Sequence, residues 1–172
     1  AAAVRTTTTT PAPPTAQLTI YTDGSGPTGG AKSTPHTAAG WGFLAFNTHL
    51  IYEAAGAVNT DRTHPSWQGA FAGSNNTGEL TAILQAAVWA YRYPGVQSVD
   101  LRYDSKYAAN LADDQWTAKS NLQLVDAVKA AIRQLRTVAQ VTFTHVKAHR
   151  GERWNERADA LARKGADQHK TK

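Results

Sequence analysis

The spacing of the predicted strands limits the sheets that this chain can form. Alternating and β-branched residues predict five strands, at 17–23, 40–46, 50–58, 97–103 and 139–146. Only three residues, Asn47-Thr48-His49, separate the second strand from the third, which suits an antiparallel hairpin. The last two strands each follow a predicted helix, and such a crossover allows parallel pairing. The order βββαβααβα therefore predicts an α/β fold: a five-stranded mixed sheet, strands 1–3 antiparallel and strands 4–5 parallel, flanked by helices.

The globular part of the chain is predicted to be one domain, residues 18–166. Residues 1–17 carry five consecutive threonines and three prolines with little apolar surface, so we expect a disordered tail or linker there. The last predicted helix covers 154–165, with Gly165 as its C-terminal stop. Residues 167–172 are expected to form a flexible basic tail. Loops 26–39 and 59–73 are long, and the sequence assigns them no role.

Composition excludes several classes of site. The chain has no cysteine, so disulfides and thiolate metal ligands are ruled out. It also has no apolar run near the roughly 20 residues of a membrane span and no secretory signal, so we expect a soluble, intracellular protein that does not bind membranes, nuclear and cytoplasmic being equally open. Residues 129–172 hold eleven Lys or Arg against four acids, in a chain of net charge +5. That segment is either a surface for a polyanion or a solvated basic helix.

A glycine-rich loop follows the first predicted strand. Gly24-Ser25-Gly26-Pro27-Thr28-Gly29 fits the dinucleotide-binding pattern G-x-G-x-x-G. That pattern requires a helix immediately afterwards to hold the pyrophosphate, whereas the next residues show no helical period and reach Pro35. No nucleotide cofactor is therefore predicted.

Four acidic residues lie at predicted element edges or on a helix flank, and each also has a structural explanation. Asp23 can belong to an Asp-Gly turn, and Asn76 with Glu79 forms a capping-box pattern. Asp104 can cap the short helix that follows it. Asp159 has no capping role, because it lies mid-helix, but an acid on a helix flank is ordinary.

The predicted topology allows these acids to meet. Asp23 and Asp104 end strands that can be neighbours, and Glu79 begins a helix that can pack over them. Carboxylates brought together repel one another unless they are protonated or neutralised by cations, and such oxygen ligands suit Mg²⁺ or Mn²⁺.

Four motifs in one order resemble a known family. IYTDGS (20–25), SNNTGELTAILQA (74–86), YDSKY (103–107) and HVKAHRGERWNERADALA (145–162) are similar to type 1 ribonuclease H, and the resemblance covers residues 17–166. It implies a nuclease that cuts the RNA strand of an RNA/DNA hybrid, leaving 3′-hydroxyl and 5′-phosphate ends, with little sequence preference. It implies two Mg²⁺ ions, with Mn²⁺ as a substitute, held by Asp23, Glu79, Asp104 and Asp159. His149 matches a histidine that assists proton movement or product release, and Asn155 an asparagine that orients the carboxylates.

The resemblance also assigns nucleic-acid contacts. The RNA strand is expected to meet Gly24, Ser25, Gly26, Asn75 and Asn76, and a DNA-strand phosphate is expected to meet Ser74, Thr77 and Asn121. Trp116 lines the DNA side or is a core residue. Lys106 stands where the family often has glutamine, so its RNA contact is expected to be electrostatic. The basic protrusion of some members is missing between Asp104 and His149.

The residues of the SNNTGEL motif (74–80) and the long loops 26–39 and 59–73 favour a eukaryotic or retroelement-associated form. The domain is expected to be monomeric and either free-standing or part of a polyprotein. Two other functions stay open. One is a hybrid-binding module without catalysis, against which the presence of all four acids argues. The other is a nuclease of the same fold that acts on another nucleic acid.

Overall fold

A computed structural model of the chain describes residues 16–27, 34–113, 121–147 and 153–170. The five strands are β1 (Ala16–Ser25), β2 (Gly40–Phe46), β3 (Leu50–Ala57), β4 (Val96–Tyr103) and β5 (Gln140–His145). The four helices are α1 (Asn75–Tyr91), α2 (Lys106–Ala112), α3 (Leu122–Arg136) and α4 (Arg153–Lys170). The predicted order of elements is confirmed.

The strands form one sheet in the order β3-β2-β1-β4-β5. β1, β2 and β3 pair antiparallel, as the three-residue hairpin connection requires. β4 pairs parallel with β1 on one side and with β5 on the other. The predicted fold class is confirmed, and the parallel set is β1, β4 and β5.

Helices cover both faces of the sheet. α1, α2 and α3 share the larger core with β1, β2 and β4, where Leu18, Ile20, Phe43, Leu80 and Leu101 are all buried. α4 packs on the opposite face, where Ala158 and Leu161 meet Tyr21 and Leu44. The apolar alternation along β1 explains both cores, because successive side chains of a strand point to opposite faces.

Close contact between α4 and the sheet depends on glycine. A Cβ on Gly165 would lie 2.2 Å from the carbonyl oxygen of Gly56, and a Cβ on Gly40 would lie 2.1 Å from that of Ala162. The predicted helix stop at Gly165 is therefore wrong: this glycine lies inside α4, which continues to Lys170. Its missing side chain serves packing rather than termination.

The ends of the described domain differ from the predicted boundaries. β1 begins at Ala16, so two residues of the expected tail belong to the sheet, and residues 1–15 lie outside the described part. Residues 167–170 form the last turn of α4 instead of a tail. Among the described residues, no helix has the length and apolar character needed to cross a membrane.

Candidate active site

Three of the predicted acids meet at one edge of the sheet. Asp23 lies in β1, Asp104 directly follows the neighbouring parallel strand β4, and Glu79 lies in the second turn of α1. One carboxylate oxygen from each lies within 4.8 Å of the others. Gly24 permits this approach, because a Cβ there would lie 2.1 Å from the Glu79 amide nitrogen.

The structural explanations of Asp23 and Glu79 are wrong. β1 continues through Asp23 to Ser25, so Asp23 is a strand residue and not part of a turn. α1 is capped by Ser74, whose hydroxyl accepts from the Thr77 amide at 3.0 Å. Thr77 therefore occupies the capping-box position predicted for Glu79, which is left without a capping role.

The structural explanation of Asp104 fails in the same way. The N-cap of α2 is Ser105, whose hydroxyl faces the Ala108 amide at 3.5 Å. Asp104 lies one residue earlier, on the connection from β4. Hydroxyl side chains therefore make the two caps predicted for Glu79 and Asp104, and Asp23 is a strand residue, so none of the three predicted local roles explains why these acids converge.

Asp159 and Asn155 reach the same place from α4. They lie one helical turn apart and line a cavity of about 360 Å³ that also contains the three converging acids. Its lining residues are Asp23, Gly24, Asn75, Glu79, Asp104, Ser105, Asn155, Glu156 and Asp159. Asp159 remains outside the tight three-acid set and pairs with Arg163, one turn further along the helix. All four predicted carboxylates therefore share one cavity, three of them in mutual contact range.

Burial and nearby negative charge raise the pKa of two of these acids, Asp23 and Glu79. Burial, with the negative charges of Asp104 and Asp159, raises the pKa of Asp23 to about 7, although the Gly24 amide donates to its Oδ1 at 2.9 Å. The pKa of Glu79 is raised well above its usual value by deeper burial and by the neighbouring charge of Asp23. Both side chains are only 3% exposed. Bound cations would favour the ionised forms that burial disfavours.

The donor set fits a hard divalent cation. The acids supply carboxylate oxygens, and the buried Asn155 adds a carboxamide oxygen that has no hydrogen-bond partner among the described residues. An unpaired buried oxygen is costly unless something satisfies it. Mg²⁺ and Mn²⁺ prefer such oxygen ligands.

Three residues near the site escaped sequence reasoning. Ser105 and Glu156 line the cavity. Ser105 directly follows Asp104, and Glu156 comes three residues before Asp159; these positions in the sequence were the available signals. His145 is exposed, and its Nε2 lies 3.2 Å from the Asp104 carbonyl oxygen. It ends β5 beside the end of β4, which only the strand register reveals.

The predicted nucleic-acid contacts divide into packing positions and open ones. Gly24 and Gly26 both serve packing, since a Cβ on Gly26 would lie 2.6 Å from the Ser74 carbonyl carbon. Thr77 is buried and its hydroxyl donates to the Ala72 carbonyl. Lys106 and Asn76 are exposed, and the predicted contacts Ser25, Ser74, Asn75 and Asn121 are partly exposed. Asn121 has a left-handed backbone (φ 56°) and makes no capping hydrogen bond with its side chain.

Two predicted residues, His149 and Trp116, lie outside the described residues. A second cavity of about 430 Å³ lies against the opposite half of β1, beside Tyr21, Arg102 and Trp154. None of its described lining residues is acidic. The smaller, carboxylate-lined cavity is therefore the better candidate for metal-dependent chemistry.

Comparison with known proteins points to one family. The family model for RNase H matches residues 15–167. A ribonuclease H of Chlorobium limicola is 34% identical over 158 residues, covering 86% of this chain and 93% of that protein. The solved structure of RNase H1 from Halobacterium salinarum has a TM-score of 0.64 at 22% identity, over 88% of this chain and 98% of that one. LC11-RNase H1, solved in complex with an RNA/DNA hybrid, has a TM-score of 0.63 at 19% identity, with the same coverage.

Proposed function

Because the chain belongs to the ribonuclease H family and is a ribonuclease H hydrolase, we propose that it cuts the RNA strand of RNA/DNA hybrids endonucleolytically, leaving 3′-hydroxyl and 5′-phosphate ends. The observation that carries the proposal is the meeting of Asp23, Glu79 and Asp104 within 4.8 Å, beside Asp159 in one cavity. The hybrid bound to LC11-RNase H1, a protein of the same fold, supports the choice of substrate.

The four carboxylates are proposed to hold two Mg²⁺ ions, which Mn²⁺ can replace. If two such ions were bound there, the chemistry that they would supply is activation of an attacking water and stabilisation of the leaving oxygen of a phosphodiester. The protein contributes a rigid frame, since Asp23 and Glu79 are fixed on a strand and on a packed helix. Asn155 is proposed to orient this group from α4, and His149 to move the proton or release the product.

The open mouth of the cavity suits a nucleic-acid backbone. Ser25, Asn75 and Asn76 lie at the end of β1 and the start of α1, where side chains and amides can meet 2′-hydroxyls, the groups that distinguish RNA from DNA. Ser74 and Asn121 are proposed to hold a DNA-strand phosphate, and Lys106 to add charge. Such backbone contacts carry no base information, so sequence preference should be slight.

Cleavage of a labelled RNA/DNA hybrid tests this function. We expect RNA-strand cleavage that requires Mg²⁺ or Mn²⁺ and that falls at least about a hundredfold in Asp104→Asn, because even outer partners of a metal site are worth up to about that much. The matched control is Asp113→Asn, which makes the same charge change at an ion pair with Arg136 outside the cavity. Its activity should stay near that of the wild type.

Three outcomes would overturn the proposal in different ways. Hybrid binding without cleavage would indicate a binding module that lacks catalysis. Faster cleavage of duplex DNA or duplex RNA would indicate a nuclease for another substrate. Equal cleavage by Asp104→Asn would show that these carboxylates are not the active site.

A further inference from the structure

Asp159 differs from the other three acids in having a cationic partner. Arg163, one turn further along α4, donates to the Oδ2 atom of Asp159 and forms an ion pair with it. The arginine side chain is 66% exposed and that of Asp159 is 29% exposed. The pair thus lies at the solvent side of the cavity, whereas Asp23 and Glu79 lie at its buried side.

Asp159, the acid that pairs with Arg163, also lies apart from the other three acids. Asp23, Glu79 and Asp104 form a tight set within 4.8 Å, and Asp159 lines the same cavity without joining that set. Three oxygens are therefore already gathered for one cation. A cation that uses Asp159 must share its carboxylate with a guanidinium or displace it.

We propose that Arg163 competes with a divalent cation for Asp159 and thereby weakens the cation position on the α4 side of the cavity. This inference rests on the proposed function for the presence of cations, but it concerns a residue that the metal site does not itself require. Guanidinium and a divalent cation are both attracted to the carboxylate and repel each other. Asn155 lies one turn before Asp159, and its carboxamide oxygen, which has no hydrogen-bond partner among the described residues, is the second oxygen available at this position.

The size of the effect follows from the exposure of the pair. Exposed ion pairs four residues apart on a helix are weak, and removal of the nearby positive charge adds a modest long-range gain. Replacing Arg163 should therefore tighten cation binding by roughly two- to tenfold. Because solvent ions screen an exposed pair, the gain should shrink as salt is raised.

Titration of the metal-free protein with Mn²⁺, followed by electron paramagnetic resonance and calorimetry, tests the proposal without any nucleic acid. The difference in Mn²⁺ binding between the wild type and Asp159→Asn measures the binding that depends on Asp159. We expect Arg163→Gln to strengthen that part, and Arg163→Lys to have a smaller effect because lysine keeps the charge but not the planar fork.

Arg157→Gln is the matched control. Arg157 also lies on α4 and forms an ion pair, but its partner is Glu53 on β3, outside the cavity. The two variants change net charge equally, so any general electrostatic gain should be similar in both, and Arg163→Gln should tighten Mn²⁺ binding more than Arg157→Gln. Equal tightening in both variants would show general electrostatics and overturn the proposal. Unchanged or weaker binding in Arg163→Gln would overturn it too, as would an Asp159→Asn variant that binds Mn²⁺ like the wild type.

The hybrid assay separates this inference from the proposed function. Mn²⁺ binding that responds to Arg163→Gln in a protein that cleaves no hybrid would refute the function and keep the competition. Hybrid cleavage by a protein whose Mn²⁺ binding is unchanged in Arg163→Gln would support the function and refute the competition between Arg163 and the cation.

Discussion

At the scale of single residues, the fold brings acidic side chains close together although their negative charges repel. Asp23 and Glu79 are buried side by side, and burial raises the pKa of both carboxyl groups. The negative charge of Asp23 raises the pKa of Glu79 further, whereas the hydrogen bond with Glu79 lowers that of Asp23. Neighbouring hydroxyl residues, Ser74 and Ser105, make the local caps that the acids were suspected of making. Acids that are buried, clustered and without a structural role are a sign of a functional site.

Asp23→Asn should stabilise the metal-free protein at alkaline pH. The pKa of Asp23 is about 7 in the fold and near 3.8 in the unfolded chain, so the folded form holds more protons between these values. Stability from this group is therefore complete below pH 4 and is lost as pH rises through 7. At pH 8 the variant should be more stable by at least about 1 kcal/mol, since one pKa unit corresponds to about 1.4 kcal/mol.

Urea unfolding between pH 4 and 8 measures this difference. The gap between the variant and the wild type should widen with pH and should close when saturating Mg²⁺ is added, because a cation relieves the charge in the wild type. A variant that is less stable at every pH would contradict the predicted protonation of Asp23.

At the scale of elements, two helices are positioned by small residues and hydroxyl caps. α1 begins at the Ser74–Thr77 cap and places Glu79 in its second turn, against the glycine that follows Asp23. α4 lies close to the sheet through Gly40, Gly56 and Gly165, and so brings Asn155 and Asp159 to the cavity. The geometry of the site therefore depends on residues that carry no chemistry.

Gly165→Ala tests the close contact of α4 with the sheet. Helix propensity alone predicts a gain of about 1 kcal/mol, because alanine is the better helix former. The added Cβ would lie 2.2 Å from the Gly56 carbonyl oxygen, so we expect a net loss of about 1–3 kcal/mol, the usual range for overpacking. Thermal unfolding measures it, with the exposed Ala160→Gly as a control for propensity. A stabilised Gly165→Ala would refute the packing role.

The cap of α1 gives a second test at this scale. Ser74→Ala should lower the free energy of unfolding by about 1 kcal/mol, the usual value of an N-cap hydroxyl. Asn76→Ala should change it by less than about 0.5 kcal/mol, as is normal for surface positions, because Asn76 is exposed and makes no cap. The opposite ranking in chemical unfolding would restore Asn76 as the capping residue.

At the scale of the whole molecule, charge is unevenly distributed along the chain. Residues 129–172 hold eleven Lys or Arg against four acids, whereas the cavity is lined by five acidic residues. Positive charge of this kind attracts a polyanion, on which the carboxylates, once neutralised, can act. The sequence between Asp104 and His149 contains no basic protrusion like that of some family members, so we propose that residues 129–172 contribute to hybrid binding.

Hybrid affinity should fall steeply with salt if this segment contacts phosphates. The slope of log affinity against log salt decreases by about one for each phosphate contact removed. Arg133→Gln/Lys147→Gln should therefore reduce the slope by about two, whereas Arg62→Gln/Arg92→Gln, also at exposed positions, should leave it unchanged. A flat response in the wild type, or the reverse ranking of the two variants, would contradict the assignment.

By itself, the sequence determined the order of the elements, the antiparallel and parallel strands, and the four acids with the motifs around them. These follow from hydrophobic periodicity, from the lengths of the connections and from short sequence motifs, which are properties of neighbouring residues. Only the tertiary structure showed that Asp23 does not form a turn and that Glu79 and Asp104 do not cap helices. Caps and strand ends depend on hydrogen bonds that several neighbouring residues can compete to make. It also placed Gly165 inside a helix, left the Asn155 side-chain oxygen without a hydrogen-bond partner in the described part of the chain, and joined Asp159 to Arg163. The first two features arise from the packing of segments far apart in the chain, which no local pattern records, whereas Asp159 and Arg163 are four residues apart on one helix and only their side-chain geometry shows the pair.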